Sequence, residues 1–368
     1  MKQLILLLLA LLFIACESTT ENRELVRVSK GYVILNQGKI SSIDYYDLES
    51  DSLKKGVFQA ANAGTTLAGY AESITVSDKY IVVTIQGTYN TGENGKVIFL
   101  DHTFKQVGEI TDYPSNHNTL NTLFLDQSLV VSYRSATGYT LRKYTLAESN
   151  GSVTATQEGS DLALSFKGFG YGPLKHLDRN IYIKGPKVID VVSASSWSLT
   201  KSIGLPKSIK ELAVVNNQIV ASVFHTTQVT TDSVKIEKGG LYFVSPTAVK
   251  DSLIADHAYH KLYADGNTLY GIQWSGAGKQ GQWSTKWNVT TKMVEISGKT
   301  ETELFTDASL SGLSGGYVHF SYDKKNDTFL LTNGDYSAPK LNYVSKTGSV
   351  KKTTEHASQV VDVKIIEK

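Results

Sequence analysis

The stretch DKYIVVTIQGTYNTGENGKVIFLDHTFKQVGEI, residues 78–110, is the clearest indication of the fold, because the rest of the chain contains irregular copies of it. It has an apolar run over 81–85, a Gly-containing polar loop over 87–95, a second apolar run over 97–100 and a weaker run over 105–110. Short runs of β-branched and aromatic residues bounded by Gly, Asn and Asp are typical of strands rather than helices. One copy is therefore a three-stranded antiparallel unit that is too small to bury its own faces.

Copies of this unit recur along the chain. In each copy a strand follows a turn, and these strands begin at Tyr32, Ile81, Leu129, Ile181, Ile219, Leu269 and Phe329. The intervals between the starts are 49, 48, 52, 38, 50 and 60 residues. Most starts follow a turn rich in Asp and Asn, whose side chains bond the local backbone. Such a period, without a convincing amphipathic helix, predicts an all-β, seven-bladed β-propeller.

The C-terminal run VVDVKII, residues 360–366, comes after the last complete copy. The first copy, in contrast, begins its strong strand almost at once, at Tyr32. We therefore expect the C-terminal run to supply a strand to the first blade and close the ring, so that no edges remain unpaired. The alternative fold is a pair of β-sandwiches, in which the strand spacing need not repeat at this period.

The N-terminus has the form of an export signal. Residues 1–15, MKQLILLLLALLFIA, carry one Lys and then an apolar run too short to span a membrane. Cys16, the one cysteine of the chain, follows directly. We predict a lipoprotein signal peptide over 1–15, an acylated Cys16 that begins a flexible tether over 16–24, and one propeller domain over 25–368. The alternative is an ordinary signal peptide with an incidental cysteine.

Composition and motifs argue against several functions. Lys and Arg total 37 against 35 Asp and Glu, and this balance argues against nucleic acid as a partner. The G-x-S-x-G match at 312–316, the His257 and His260 pair, and the acidic stretch 323–327 lack the context of a nucleophile elbow, a zinc site and a calcium loop respectively. The sequence thus predicts no catalytic residue, no metal site and no cofactor.

The segment 32–76 carries a family resemblance. Its matching elements are Asn36-Gln37-Gly38, Tyr45-Tyr46-Asp47, Val57-Phe58 and Ala61-Asn62. In this order they resemble the opening blade of the YncE-like, YVTN-type β-propeller surface lipoproteins of Bacteroidota. The resemblance covers about 100 residues and is architectural beyond them.

Several members of this group lie on the outer membrane beside TonB-dependent transporters and capture a corrinoid or a ferric siderophore. The resemblance implies a similar binding role here: a cell-surface lipoprotein, attached to the outer membrane by its lipid anchor alone, that passes a small-molecule nutrient to a TonB-dependent transporter.

Loops that follow the second strand of each blade converge on one rim of a propeller, so their residues are the natural binding candidates. Almost every copy contributes an aromatic or a cationic side chain there. The predicted ligand-binding residues are Gln86, Tyr89, Tyr133, Arg134, Lys184, His225, Trp274, Trp283, Trp287, Tyr336 and Lys340. The aromatic rings would stack on a planar or macrocyclic ligand, and the cations would pair with an anionic one, such as a ferric tris-catecholate.

The stretch WSGAGKQGQWSTKW, residues 274–287, holds three of the four tryptophans, and we interpret it as a lengthened Gly-rich loop that faces the rim. Alternatively, Trp287 opens the next strand and packs in its blade, while Trp274 and Trp283 cover a core edge. Two rival functions stay open at this point. One is a lactonase-like or lyase-like enzyme, although carboxylates are scarce in the candidate loops; the other is a propeller that only docks proteins.

Overall fold

The computed structural model describes residues 26–87, 94–114, 117–135, 137–167, 172–280, 285–306, 319–332 and 338–367. These residues form seven antiparallel sheets arranged in a ring, so the prediction of a seven-bladed β-propeller is confirmed. Helix α1 (Val57–Ala61) packs against the first blade through Val57 and Phe58. Across the described ranges, no helix has both the length and the apolar character that crossing a membrane requires.

The first three blades follow one another along the chain. The first contains β1 (Lys30–Gln37), β2 (Ile40–Asp47), β3 (Ser52–Lys54) and β4 (Leu67–Ala68). The second contains β5 (Tyr70–Val76), β6 (Ile81–Gln86), β7 (Lys96–Leu100) and β8 (Gln106–Ile110). The third contains β9 (Asn118–Leu125), β10 (Ser128–Arg134), β11 (Tyr139–Ser149), β12 (Ser152–Gln157) and β13 (Leu162–Ala163).

The fourth blade contains β14 (Lys175–Leu177), β15 (Asn180–Lys184), β16 (Val188–Ser193) and β17 (Ser198–Gly204). The next strands along the chain are β18 (Ile209–Val215), β19 (Gln218–Val223), β20 (Thr226–Thr230), β21 (Ser233–Ile236), β22 (Gly240–Val244) and β23 (Val249–Ala255). Strands β18, β19, β22 and β23 form the fifth blade, whereas the β20–β21 hairpin leaves it and joins the sheet of the sixth.

The sixth blade contains β24 (Tyr259–Asp265), β25 (Thr268–Gln280), β26 (Thr285–Ser297) and β27 (Thr300–Thr306). The seventh contains β28 (Phe320–Asp323), β29 (Thr328–Thr332), β30 (Lys340–Ser345) and β31 (Val350–Glu355). The last strand, β32 (Gln359–Glu367), pairs antiparallel with β1, from Lys30 opposite Glu367 to Gln37 opposite Gln359. The expected closure by the C-terminal run is therefore confirmed.

Apolar packing lies between the blades. The buried apolar residues fall into seven clusters, one at each junction of neighbouring blades. Strand alternation explains this arrangement: Ile81 and Val83 on β6 pack toward the first blade, whereas Val82 between them packs toward the third. Each such side chain stabilises the fold by about 1.5–3 kcal/mol when it is fully buried. Strands such as β6 are therefore apolar on both faces, as packing between two neighbouring blades requires.

The turns that connect the first and second strands of the blades use the predicted residues. Asp126, Asp178, Asn217 and Asp327 adopt positive φ angles of 51°, 55°, 52° and 46°. Asp and Asn tolerate the left-handed region better than most residues, because their short polar side chains bond the local backbone. These turns all lie at one end of the ring, and the opposite end carries the candidate site.

Candidate functional site

Each blade has an inner strand next to the ring axis and a second strand paired with it. The inner strands are β32, β5, β9, β14, β18, β24 and β28, and the second strands are β1, β6, β10, β15, β19, β25 and β29. The two run antiparallel, so every second strand ends where its inner strand begins. We call this end of the ring the upper rim. Gln86, Arg134 and Lys184 end their second strands there, as the sequence predicted.

Gln86 contacts the Glu72 carboxylate, which the sequence prediction omitted, and Arg134 lies beside Tyr139 on the neighbouring blade. Gln86 Nε2 donates to Glu72 Oε1 at 2.5 Å, and Gln37 Nε2 donates to Glu72 Oε2 at 3.2 Å. Burial raises the pKa of the nearby Tyr139 hydroxyl, whereas the adjacent Arg134 guanidinium opposes that shift and Glu72 adds to it. The structure therefore places Gln86 against Glu72, and it places Arg134 beside Tyr139, on which Glu72 also acts electrostatically.

Tyr133 is buried in the junction between the second and third blades. Its hydroxyl donates to Asp161 at 2.5 Å, and its ring lies 5.3 Å from the Arg142 guanidinium carbon. Arg142 also pairs with Asp161 through two nitrogens, at 2.6 and 2.8 Å. Tyr133 therefore belongs to a structural network, and its ring offers no open face for stacking. Its role as a ligand contact stays a prediction.

The remaining predicted residues are spread along the rim. His225 is partly exposed just after β19, and its carbonyl accepts a hydrogen bond from the Glu237 N–H at 2.9 Å. Lys340 begins β30, and its ammonium lies 3.7 Å from the Glu355 carboxylate on the outermost strand. Tyr89, Trp283 and Tyr336 lie outside the described residues.

The interpretation of residues 274–287 as a loop is wrong. Strands β25 and β26 are each 13 residues long, and they pair up to Gln280 opposite Thr285. Gly276 permits this extension, because it adopts a φ of 133° and an added Cβ would lie 2.5 Å from the Asn288 carbonyl oxygen. Strand β21 then pairs with the upper part of β25. Trp287 lies within β26 opposite Gly278, in the strand where the alternative interpretation placed it; its packing in the blade stays a prediction.

Trp274 is only 4% exposed and belongs to the apolar cluster between the sixth and seventh blades. Its indole is stacked on the His260 imidazole, with ring centroids 3.6 Å apart and an angle of 9° between the planes. The expected exposed stacking surface is therefore absent at this residue. Instead, Trp274 supports a histidine on the inner strand β24.

Bulges at the upper ends of the inner strands redirect their side chains. In five blades one extra residue interrupts the pairing of the inner strand with the second strand; these residues are Glu72, Leu120, Lys210, His260 and Val361. Bulges bend a strand and change the direction of its side chains, and they recur next to functional sites. Here they occur at the same level of the ring.

Four blades share a hydrogen bond at this level. The backbone N–H of an inner-strand or adjacent residue donates to a hydroxyl on the second strand. The pairs are Ser73 with Thr84 (3.0 Å), Asn121 with Ser132 (3.1 Å), Glu211 with Ser222 (3.1 Å) and His319 with Thr332 (2.8 Å). In each case the hydroxyl residue is the third after the strand start recognised in the sequence.

Lys184 takes this hydroxyl position in the fourth blade. The inner strand β14 has only three residues and pairs without a bulge. The Lys184 side chain, on a residue that is 7% exposed, lies against Gly172, where an added Cβ would come within 2.4 Å of Lys184 Cε. It therefore fills the space that the bulged strand occupies elsewhere, and its ammonium group is placed near the channel.

Ionisable side chains converge on the central channel from five blades. We call the following residues the channel cluster: Lys175, Lys184, Lys210, Glu211, Lys261, His319, Asp362 and Lys364. Lys175 on the fourth blade interacts electrostatically with Asp362 and Lys364 on the first. These two blades are not neighbours, so their side chains can meet only across the channel.

Two carboxylates of the channel cluster already have partners. Glu211 Oε2 lies 3.3 Å from the Lys261 ammonium, and Asp362 Oδ1 lies 2.9 Å from that of Lys364. Asp362 Oδ2 also accepts the Ile74 N–H at 3.0 Å. Burial by itself would raise the pKa of Glu211, but Lys261 and the other nearby ammonium groups outweigh it and lower the pKa. Glu211 is therefore charged at neutral pH.

Burial lowers the pKa of three lysines in the cluster. The shift takes the pKa of Lys184 to about 8, and it is opposed by Glu211 and increased by Lys261 and Lys210. The pKa of Lys175 and that of Lys210 are lowered in the same direction. The Lys210 ammonium lies 4.4 Å from the centre of the Phe224 ring. Positive charge is thus concentrated in the channel, where burial limits its solvation by water.

A Ser–His–Asp arrangement also lies at the channel. His319 Nε2 is 3.0 Å from the Ser321 hydroxyl, and His319 Nδ1 is 3.5 Å from Asp362 Oδ1. Burial lowers the pKa of His319 to about 4 although Asp362 opposes the shift, so the imidazole is neutral at pH 7. Ser321, however, is only 3% exposed. The arrangement has the residue types of a catalytic triad, but its serine, Ser321, is not accessible to a substrate.

Carboxylates are scarce in the candidate loops, but Glu211 and Asp362 lie at the channel itself. Glu72 and Glu211 lie on inner strands that the sequence interpretation did not delineate, because it followed the loops after the second strands. Asp362 lies on β32, which the sequence predicted as the closing strand but not as part of a site. Within the described part of the chain, no three His, Cys, Asp or Glu side chains are grouped so as to hold a metal ion.

Comparisons with known proteins agree with this architecture. No protein-family model matches the sequence, and neither does any curated protein. A solved quinonprotein alcohol dehydrogenase-like protein from Bacteroides thetaiotaomicron is similar at a TM-score of 0.56 and 12% identity, over 92% of this chain and 79% of that one. The hydrazine synthase of Kuenenia stuttgartiensis is similar at a TM-score of 0.50 and 14% identity, over 74% and 76%. At these identities the likeness shows one thing about the chain, its β-propeller fold.

Proposed function

We propose that the protein is a surface lipoprotein, anchored in the outer membrane through Cys16, that captures a scarce small-molecule nutrient at its upper rim. It then passes the nutrient to a TonB-dependent transporter. The candidate nutrients are a ferric siderophore or a corrinoid, as the resemblance to YncE-like surface lipoproteins implies. The apolar N-terminal run that ends before Cys16 supports the anchor.

The channel cluster is the observation that carries this proposal. A propeller needs apolar junctions between its blades, and these are complete without charges at the axis. Lysines inside the channel cost stability, because burial disfavours their charged form. Ionisable groups whose pKa values are shifted by burial and by neighbouring charges are typical of functional sites. The cluster is therefore better explained by a ligand than by the fold.

Tryptophan fluorescence tests the proposal. Trp274 stacks on His260, whose pKa is lowered mainly by burial and further by Lys261, Lys210 and Lys184, so its emission reports on the channel cluster. The purified protein is titrated with ferric siderophores, haem and cobalamins. We expect a saturable change with at least one ligand, and no response to any of them would contradict the proposal.

A pair of variants localises the fluorescence signal. Trp274→Phe should remove most of the change. Trp197→Phe should retain it, because Trp197 lies in the turn between β16 and β17 at the opposite end of the ring, with its indole nitrogen donating to the Ser160 carbonyl at 3.0 Å. An equal loss in both variants would place the ligand away from the channel.

The Ser321, His319 and Asp362 arrangement favours a second candidate, a hydrolase of lactones or esters. In that case Ser321 is the nucleophile, His319 takes its proton and Asp362 orients the imidazole. The burial of Ser321 weighs against it. Hydrolysis of chromogenic esters and lactones, compared between the protein and its Ser321→Ala variant, decides the matter. Turnover that the variant loses would establish the enzyme, and equal rates would exclude Ser321 as the nucleophile.

A further inference from the structure

The channel cluster is out of charge balance. It contains five lysines and two carboxylates, and each carboxylate already pairs with one of the lysines, Glu211 with Lys261 and Asp362 with Lys364. Among the described residues, neither Lys175 nor Lys210 forms an ion pair. Like charges held close together repel one another more strongly in a confined channel than in bulk water. The fold therefore maintains an excess of positive charge at the axis.

The ammonium groups of Lys175 and Lys210 are not stabilised by water alone. A lysine that water surrounds keeps its ordinary pKa, whereas burial lowers the pKa of Lys175 and of Lys210. Lys210 is the bulged residue of β18, so its direction is set by the backbone rather than by free rotation of an exposed strand. Its ammonium is also held against the Phe224 ring. The geometry thus holds the positive charge of Lys210 in a fixed place, and a purely structural channel does not need such a charge.

We propose that the channel cluster binds an anion with two or more negative charges, which lies between Lys175 and Lys210 at the upper end of the channel. This rests on the proposed function, and it assigns both the position of the captured nutrient and its class. The anion supplies the charge that Glu211 and Asp362 leave uncompensated. A ferric siderophore whose iron is held by catecholate or carboxylate groups meets this requirement, whereas a neutral corrinoid does not.

The residue types fit a bulky anion with its charge spread over several oxygens. The cationic groups of the cluster are lysines, which act as compact point charges and impose no planar, bidentate geometry. They also come from different blades, with Lys175 on the fourth and Lys210 on the fifth. Charges that approach from several directions suit a rounded polyanion better than a single flat carboxylate.

Equilibrium dialysis with three probes tests the proposal: citrate, an anionic ferric tris-catecholate and neutral cyanocobalamin. The variants are Lys175→Gln, Lys210→Gln and Lys210→Arg. The control is Lys201→Gln on the outer strand β17, where the same charge is removed from an exposed position. We expect the anions to bind and cyanocobalamin to stay free. Each Gln variant in the cluster should weaken anion binding at least about tenfold, whereas Lys210→Arg and Lys201→Gln should stay close to the parent protein.

The outcomes separate this proposal from the function on which it rests. Binding of cyanocobalamin without the anions would overturn the anion site and leave nutrient capture standing. Binding of citrate alone, with the expected loss in Lys210→Gln, would keep the anion site and contradict capture of a bulky nutrient. Equal affinities in Lys210→Gln and Lys201→Gln would overturn the anion site. If a Gln variant does not fold, two other measurements test the anion site. Anion binding by Lys210→Arg close to that of the parent protein, together with an anion-induced rise in the Tm of the parent protein, would support the site, and the absence of both would overturn it.

Discussion

The Lys261 ammonium on β24 lies 3.3 Å from the Glu211 carboxylate on β18, and this ion pair joins the inner strands of two neighbouring blades inside the channel. Glu211 also interacts electrostatically with Lys175 and Lys184 on the fourth blade. One carboxylate therefore compensates part of the charge of several lysines. The pair links the stability of the ring to the charge state of its channel.

Glu211→Gln should lower the free energy of unfolding by about 1–3 kcal/mol, because it leaves a partly buried Lys261 without its partner. It should also tighten anion binding, since the channel gains one unit of positive charge. Denaturant unfolding of Glu211→Gln, Lys261→Met and the double variant measures the coupling. We expect the double variant to be less destabilised than the sum of the single variants, and strictly additive effects would show that the two groups do not interact.

Lys184→Met should stabilise the protein at pH 7 by about 1–3 kcal/mol, because burial lowers the folded pKa of Lys184 to about 8 from an ordinary value of 10.5. Between these values the unfolded chain binds the proton and the folded protein does not, so the stability of the parent protein rises with pH. The advantage of the variant should therefore be largest below pH 8 and shrink toward pH 10.5. Unfolding curves at pH 7 and pH 10 measure both points, and a stability difference that does not change with pH would contradict this account.

Removal of residues 358–368 should abolish cooperative unfolding, because the deleted segment contains β32, the inner strand of the first blade. Without it, β1 becomes an exposed edge and the apolar cluster between the seventh and first blades loses Val360 and Val363. Differential scanning calorimetry measures the effect. An unchanged transition in the truncated protein would refute closure by this strand.

His356→Ala should destabilise the protein by about 2–4 kcal/mol, because His356 joins the last blade to the first through buried hydrogen bonds. His356 Nδ1 lies 2.8 Å from Asp44 Oδ2, and the Thr354 hydroxyl lies 2.9 Å from His356 Nε2. His225→Ala, at a partly exposed position on the rim, is the matched control. Chemical unfolding compares the two variants, and equal losses would show that the buried network adds nothing to closure.

The ring and its closure were predictable from the sequence, because the second strands are continuous apolar runs. Ile81, Val82 and Val83 are buried on both faces of β6, and burial on both faces leaves an unbroken apolar run in the sequence. The Asp and Asn turns gave the register of the repeat, since residues such as Asp126 adopt the left-handed backbone that the turns require. Both signals are local and do not depend on distant contacts.

The channel cluster was not predictable, apart from Lys184. Lys175 and His319 lie on or beside inner strands of only three and four residues, and the inner strand of Lys210 and Glu211 carries a bulge, so no regular apolar alternation marks them. Asp362 and Lys364 lie on the predicted closing strand, whose sequence does not show that they face the channel. Lys175 and Asp362 are brought near each other only when the ring closes. The extension of β25 and β26 was missed for a related reason: glycines such as Gly276 weaken a strand signal, and the pairing with β21 that supports the extension is not local in sequence.

The location of a bound ferric complex is the most direct test of the account. Crystals of the protein with an anionic ferric tris-catecholate give the iron position from anomalous scattering. We predict one iron at the axis near the upper rim, between Lys175 and Lys210. Iron at the outer face of a blade or at the opposite end of the ring would contradict the account, and so would a fully bound complex in the Lys175→Gln, Lys210→Gln double variant.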